Sequence, residues 1–217
     1  MRPLSPKPPR GFSLVELLVV VAIMGTMMAL SGPVVTALSG SGSVNKAIID
    51  LSRTLEQARA YAMANGTYVR VGFGEITRAS GNSGPSFVVL CLYSNDGTLA
   101  AADGGAMATA AKWPYVTRPL VLDNFHANDA LGTASDTLPR DTDIPHFVRQ
   151  VNGLGAVRFN ACIQFGPSGV ARVQTDSPAR FIKVALDRPA PMDGKNPFVI
   201  RVGGMTGAIT VLRKENL

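Results

Sequence analysis

The sequence is poor in the residue types from which most catalytic and metal sites are built. Its 217 residues include only two cysteines and two histidines. Cys91 and Cys162 form no CxxC pair, and a metal site on two cysteines would need further ligands that the sequence does not place at useful spacing. His126 and His146 lie among Asp123, Asp129, Asp136, Asp141 and Asp143, yet no EF-hand spacing links them, and such Asp-rich stretches are ordinarily solvated turns. A nucleophile elbow and a phosphate loop are absent, and Gly72-Phe73-Gly74 lacks the rest of a dinucleotide fingerprint. No metal, no cofactor and no enzymatic activity are expected.

Charge is scarce as well, at 17% of residues against 46% hydrophobic, and 22 glycines and 15 prolines punctuate the chain. That profile describes a turn-rich, β-rich exported protein and not a long helical bundle. The net charge of +6 raises nucleic acid or anionic lipid as partners. Half of the excess, however, is Arg2, Lys7 and Arg10, which stand before the first apolar run with no acid among them. The other basic residues are interspersed with acids, so charge alone argues little for nucleic acid.

What the chain does have is one long apolar run, LVELLVVVAIMGTMMAL, from Leu14 to Leu30. As a helix it reaches about 25 Å at ~1.5 Å per residue, slightly short of a ~30 Å hydrocarbon core, and Val34 and Val35 beyond Pro33 could extend it. The basic, proline-rich leader before it stays cytoplasmic by the positive-inside rule, which sends everything after Leu30 across the membrane. A conventional export signal has a shorter apolar core and a small-x-small cleavage site, for which Thr36–Ser39 is the candidate. Neither that reading nor a plain anchor explains Glu16. An ionised side chain costs about 2.5–3.5 kcal/mol at the centre of a membrane helix on insertion scales, and less near its end.

The stretch RGFSLVELLVVVAIMG, residues 10–25, resembles the prepilin signature of type IV pilins and type II secretion pseudopilins. The resemblance implies a leader ending at Gly11, cytoplasmic cleavage before Phe12 and N-methylation of Phe12. It places Glu16 fifth in the mature chain, as the residue that faces a neighbour's N-terminal amine during filament assembly. Such an amine has an ordinary pKa of roughly 7.7–8 and is cationic at neutral pH. It also implies a fold class: α+β, pilin-like, with a long N-terminal hydrophobic and amphipathic helix packed on an antiparallel β-sheet domain. The expected partners are a prepilin peptidase, other pilin or pseudopilin subunits and the inner membrane. The expected location is that membrane, single-pass with the globular domain periplasmic, and then a pilus or pseudopilus.

Downstream, Val44, Ile48, Leu51, Leu55, Ala58 and Ala62 recur at spacings of four and three, one apolar stripe of a helix that Asn65-Gly66 would stop. Two glycines in Ser39–Ser43 predict a bend, fray or break between the apolar run and this stripe. The domain plan is therefore a leader over 1–11, a hydrophobic helix over 12–36, a linker and amphipathic helix over 37–66, and a β-rich domain over 67–217. Strand-like runs TYVRVGF, SFVVLCLY, AVRFNACIQF, GVARVQT, RFIKVAL, PFVIRVG and AITVLR fill that domain, several of them separated by the turn signals Asn95-Asp96-Gly97, Gly166–Gly169, Asp193-Gly194 and Gly203-Gly204. Residues 95–155 read as long loops. The phrase LEQARAYAMANGTYVRVGF, the FGPSG turn and the closing GAITVL also resemble H-type minor pseudopilins and FimT-like pilus proteins, which implies a minor subunit.

Cys91 and Cys162 are a candidate disulfide in an oxidising compartment, stabilising by ~4 kcal/mol in the loop-entropy model, or else two buried free thiols. Arg213 and Lys214 resemble the basic tails through which some FimT-like pilins take up DNA; Glu215 beside them weakens that reading in favour of simple solubility. Two alternatives to a structural subunit thus stand: a minor pilin that captures DNA, and an anchored exported enzyme with a site near His126 or His146.

Overall fold

The computed structural model describes residues 13–77, 84–98, 112–128, 147–173, 178, 180–189 and 197–213, with backbone alone for 29–41. One helix, α1 (Leu14–Ala64), is followed by ten strands: β1 (Val69–Thr77), β2 (Pro85–Tyr93), β3 (Leu120–Asp123), β4 (His126–Ala127), β5 (Phe147–Val151), β6 (Gly155–Phe165), β7 (Ala171–Arg172), β8 (Phe181–Asp187), β9 (Phe198–Gly203) and β10 (Ile209–Arg213). An N-terminal helix and antiparallel sheets make the fold α+β, as the strand-like runs predict. The chain divides into two compact units, Met1–Ser43 and Val44–Leu217. Ser39–Ser43, where a bend or break is expected, is helical. Each glycine there costs about 1 kcal/mol relative to alanine, which weakens a helix without removing any of its hydrogen bonds.

In the second unit the strands form two antiparallel sheets. The first runs β3-β2-β1-β6-β5, with β7 also paired to β6; the second runs β10-β9-β8-β4. The apolar stripe of α1 is the floor shared by both. Leu51, Leu55, Ala58 and Ala62 have no exposed surface and join Val69, Val71 and Phe73 of β1, Phe87 and Val89 of β2, Ile182, Val184 and Leu186 of β8, and Phe198, Ile200 and Val202 of β9 in one core. The helix stops where expected: Ala64 is its last residue and Gly66 takes a positive φ of 60°, a left-handed cap that glycine adopts without strain.

The other face of the first sheet is buried too, under a second core of Val88, Leu90, Leu92, Trp113, Phe147, Val157 and Phe159. Phe147 and Phe159 stack with centroids 4.9 Å apart above Gly72, where a β-carbon would lie 2.8 Å from Phe147 Cζ. Arg70 is enclosed on this face with 1% of its surface exposed. Its Nε donates to Gln164 Oε1 at 2.9 Å and its guanidinium carbon lies 4.8 Å from the Trp113 ring centroid. Burial pulls its pKa below the ordinary arginine range.

Three of the ten strands, β3, β4 and β5, fall inside the stretch read from sequence as loops. They have four, two and five residues, too few for a period-2 pattern to stand out from a loop. Among the described residues of GVARVQT, Ala171–Arg172 are strand. The FGPSG turn and the β9–β10 turn meet over α1. Gly169 (φ 79°) packs on Met63 and Arg59, Gly207 (φ 64°) packs on Arg59 and the Gly169 carbonyl, and Ala171 N donates to Gly204 O at 2.7 Å. Asp193-Gly194, also read as a turn, lies outside the described residues.

Candidate functional site

Gly11 and Phe12 lie outside the described residues. Ser13 is the first residue described, and its carbonyl accepts from Glu16 N at 3.0 Å and from Leu17 N at 3.2 Å, opening α1. Glu16 therefore stands in the first turn, where the unsatisfied N–H groups of a helix favour a carboxylate. Leu14 through Met28 are all exposed, from Val20 at 43% to Leu14 at 80%. Large apolar side chains uncovered to this extent along a whole segment mark a surface made for another apolar environment. Among the described residues no helix is long and apolar enough to cross a membrane. The side chains that would complete the run, beyond Met28, are not among those described.

The segment that contains Gly11, Phe12 and Glu16 is also where the chain meets a known family. Residues 7–32 match the family model described as "Prokaryotic N-terminal methylation motif". The N-terminus carries a motif of the prepilin type. No curated protein and no solved structure matches the chain. The prepilin-type motif is characteristic of substrates of a prepilin peptidase and of structural subunits in place of enzymes, and it supports a type IV prepilin-like family for this chain.

The remaining candidate residues are dispersed. The disulfide between Cys91 and Cys162 is not formed: both thiols are free and buried. Cys91 of β2 pairs with Val71 and Cys162 of β6 pairs with Gly72, so β1 runs between them. Two strand spacings amount to about 10 Å, beyond the ~7 Å limit for Cα atoms of a disulfide. The two also face opposite ways, Cys91 into the core under α1 and Cys162 into the core around Trp113. Burial pushes each thiol up to about 12, so neither is a thiolate at neutral pH. We expect a thiol reagent to label neither cysteine in the native protein and both after unfolding without reductant. Fewer than two reactive thiols on unfolding would overturn the assignment.

His126 is half-buried on β4, opposite Asp187 of β8, and no hydrogen-bond partner is found for its Nδ1 among the described residues. Asp187 accepts from Arg188 N at 2.7 Å and Asn128 Nδ2 at 3.3 Å, and Asp123 accepts from Ser86 Oγ at 2.8 Å. These carboxylates serve turns and strand ends. His146, Asp129, Asp136, Asp141 and Asp143 lie outside the described residues, and among those described no three His, Cys, Asp or Glu side chains gather to hold a metal. Arg213 Nη2 donates to Asn45 Oδ1 at 3.0 Å, which ties the last strand to α1; Lys214 lies outside the described residues.

Sequence reasoning missed a groove of about 700 Å³ between the segment before β3 and the β5–β6 turn, lined by Tyr115, Arg118, Pro119, Val121, Val151 and Leu154 among others. Among the described residues its lining offers one cation and no acid–base pair. Nothing in the sequence announces it, because its two walls are separated in the chain and both lie in the stretch read as loops.

Proposed function

We propose that this chain is a structural subunit of a prepilin-processed filament, either a type IV pilus or a type II secretion pseudopilus, and that it serves there as a minor component. The peptidase removes residues 1–11 on the cytoplasmic side and Phe12 becomes the methylated N-terminus. The segment 12–36 holds the protein in the inner membrane with its globular domain in the periplasm, and later lies in the filament core beside other pilin or pseudopilin subunits. Residues 37–66 link that segment to the β-rich domain over 67–217, and the architecture is then pilin-like. The single observation that carries this reading is the motif match over residues 7–32, which spans the proposed cleavage site and Glu16. It is supported by the run of exposed apolar side chains from Leu14 to Met28, which a filament core or a bilayer would cover.

The test is the intact mass and N-terminal peptide of the protein taken from its native membrane. A mature chain starting at Phe12 with one added methyl group is expected. A start within residues 38–43, or a retained Met1, would sink the proposal and return the anchored exported protein as the better account.

A further inference from the structure

The outer face of the second sheet carries a cluster that filament formation through the N-terminal helix does not use. Along β8, Ile182 and Val184 enter the core under α1 while Phe181 and Lys183 point the other way. Lys183 is paired with Arg201 and Phe181 with Gly203 across β8–β9, so Arg201 joins the same face. The Arg201 guanidinium carbon lies 4.6 Å from the Phe181 ring centroid, and that of Arg180, an exposed residue, lies 5.5 Å from it. Gly203 presents no side chain beside the ring. The strand end is pinned by Gly204 N donating to Arg180 O at 3.3 Å, and Met205 in the following turn is 68% exposed.

Two guanidiniums held against one ring are oriented before any ligand arrives, so less side-chain entropy is lost when they bind. Among the described residues neither Arg180 nor Arg201 meets a carboxylate. A planar, forked donor fits a carboxylate through two parallel hydrogen bonds. Single-stranded nucleic acid, by contrast, is recognised by stacking bases on open aromatic faces, and here guanidiniums compete for the ring. Arginine, an aromatic ring and an exposed methionine together are the side chains enriched at protein–protein interfaces. A second copy of this chain is a poor occupant, since it is itself net cationic with or without residues 1–11.

We propose that this face is a docking site for the acidic surface of a different protein, with Arg180 and Arg201 as carboxylate anchors and Phe181 as the rigid wedge between them. The inference does not depend on the filament reading, and the test does not require filaments. The full chain in detergent micelles is titrated into a fluorescein-labelled glutamate homopeptide, with a thymine oligonucleotide of equal charge and phosphatidylglycerol vesicles as comparators. The homopeptide is expected to bind, and Arg180→Gln with Arg201→Gln to weaken it about tenfold. The exposed pair Lys46→Gln with Arg53→Gln removes the same charge from α1 and should leave binding unchanged. Phe181→Leu, which keeps both cations but frees them, should lower affinity several-fold. Equal losses from the two double variants would show attraction by net charge only and overturn the site. Tighter binding to the oligonucleotide or to the vesicles than to the homopeptide would also overturn it, in favour of a phosphate ligand.

Discussion

Glu16→Val should leave the protein cleaved, methylated and inserted in the membrane, and yet keep it out of filaments. On the reading proposed here, Glu16 lies at the head of a helix that must enter an apolar core. A carboxylate there is unfavourable by a few kcal/mol unless it meets a cation. The amine exposed at Phe12 of a neighbouring subunit is such a cation, and pairing it with Glu16 would fix both the partner and the axial register. Valine is more at ease in hydrocarbon, so insertion does not suffer. What is lost is the reward for docking, and the unpaired amine of the neighbour becomes the new cost. A loss of ~2.5 kcal/mol or more lowers incorporation on the order of a hundredfold. The readout is the ratio of variant to wild-type protein in sheared filaments against the membrane pool when both are co-expressed. Glu16→Gln keeps the shape without the charge and should fail in the same way. Incorporation of Glu16→Val at the wild-type ratio would refute the role.

Gly207→Ala is expected to destabilise the β-rich unit by about 3 kcal/mol. Two causes add. Gly207 has φ 64°, which an L-residue with a β-carbon adopts only with strain. A methyl group there would also collide with the Gly169 carbonyl oxygen and come within 2.8 Å of Arg59 Nε. The side chain of Arg59 can swing away, but the Gly169 carbonyl belongs to a turn that is itself left-handed at 79°. In a domain of this size that loss lowers the melting temperature by roughly 6–12 °C. Gly97→Ala separates the causes, because Gly97 has a similar φ of 68° and, among the described residues, nothing within 4 Å of its missing β-carbon. It should show only the backbone part, about 1 kcal/mol. Equal melting of the two variants would mean that the turn relaxes and that the contact between the glycines is slack.

The strands and helix that sequence made legible are those whose burial repeats with a strong period. The stripe from Val44 to Ala62 led inward, as read, and the runs that became β8 and β9 were read as strands. What parity cannot say is which sheet a strand joins or which of two buried faces a residue enters. Arg70 shows the consequence: within VRV it reads as the outward residue between two inward valines, yet a second core covers that side. The cysteines fail as a pair for the same reason. Two strand-like runs say nothing of the third strand placed between them, nor of the bulge where β6 shifts register against Phe73 and Gly74. The prepilin-type segment was legible because its chemistry is local, a few residues within about two helical turns. The cationic face around Phe181 was not, because it needs Arg201 from another strand.

The hydrogen bond from Arg213 to Asn45 joins residues 168 apart, and contacts of that span bear on the order of folding. The helix stripe leaves the ribosome early, but half of what covers it is β8 and β9, near the end of the chain. Pairings over such separations form slowly, since loop-closure entropy must be overcome before contacts repay it. Until the last strands arrive, the α1 stripe is only partly covered, close in the chain to an already hydrophobic segment. Maturation of this protein is therefore governed less by its final stability than by what shields one helix face during the interval.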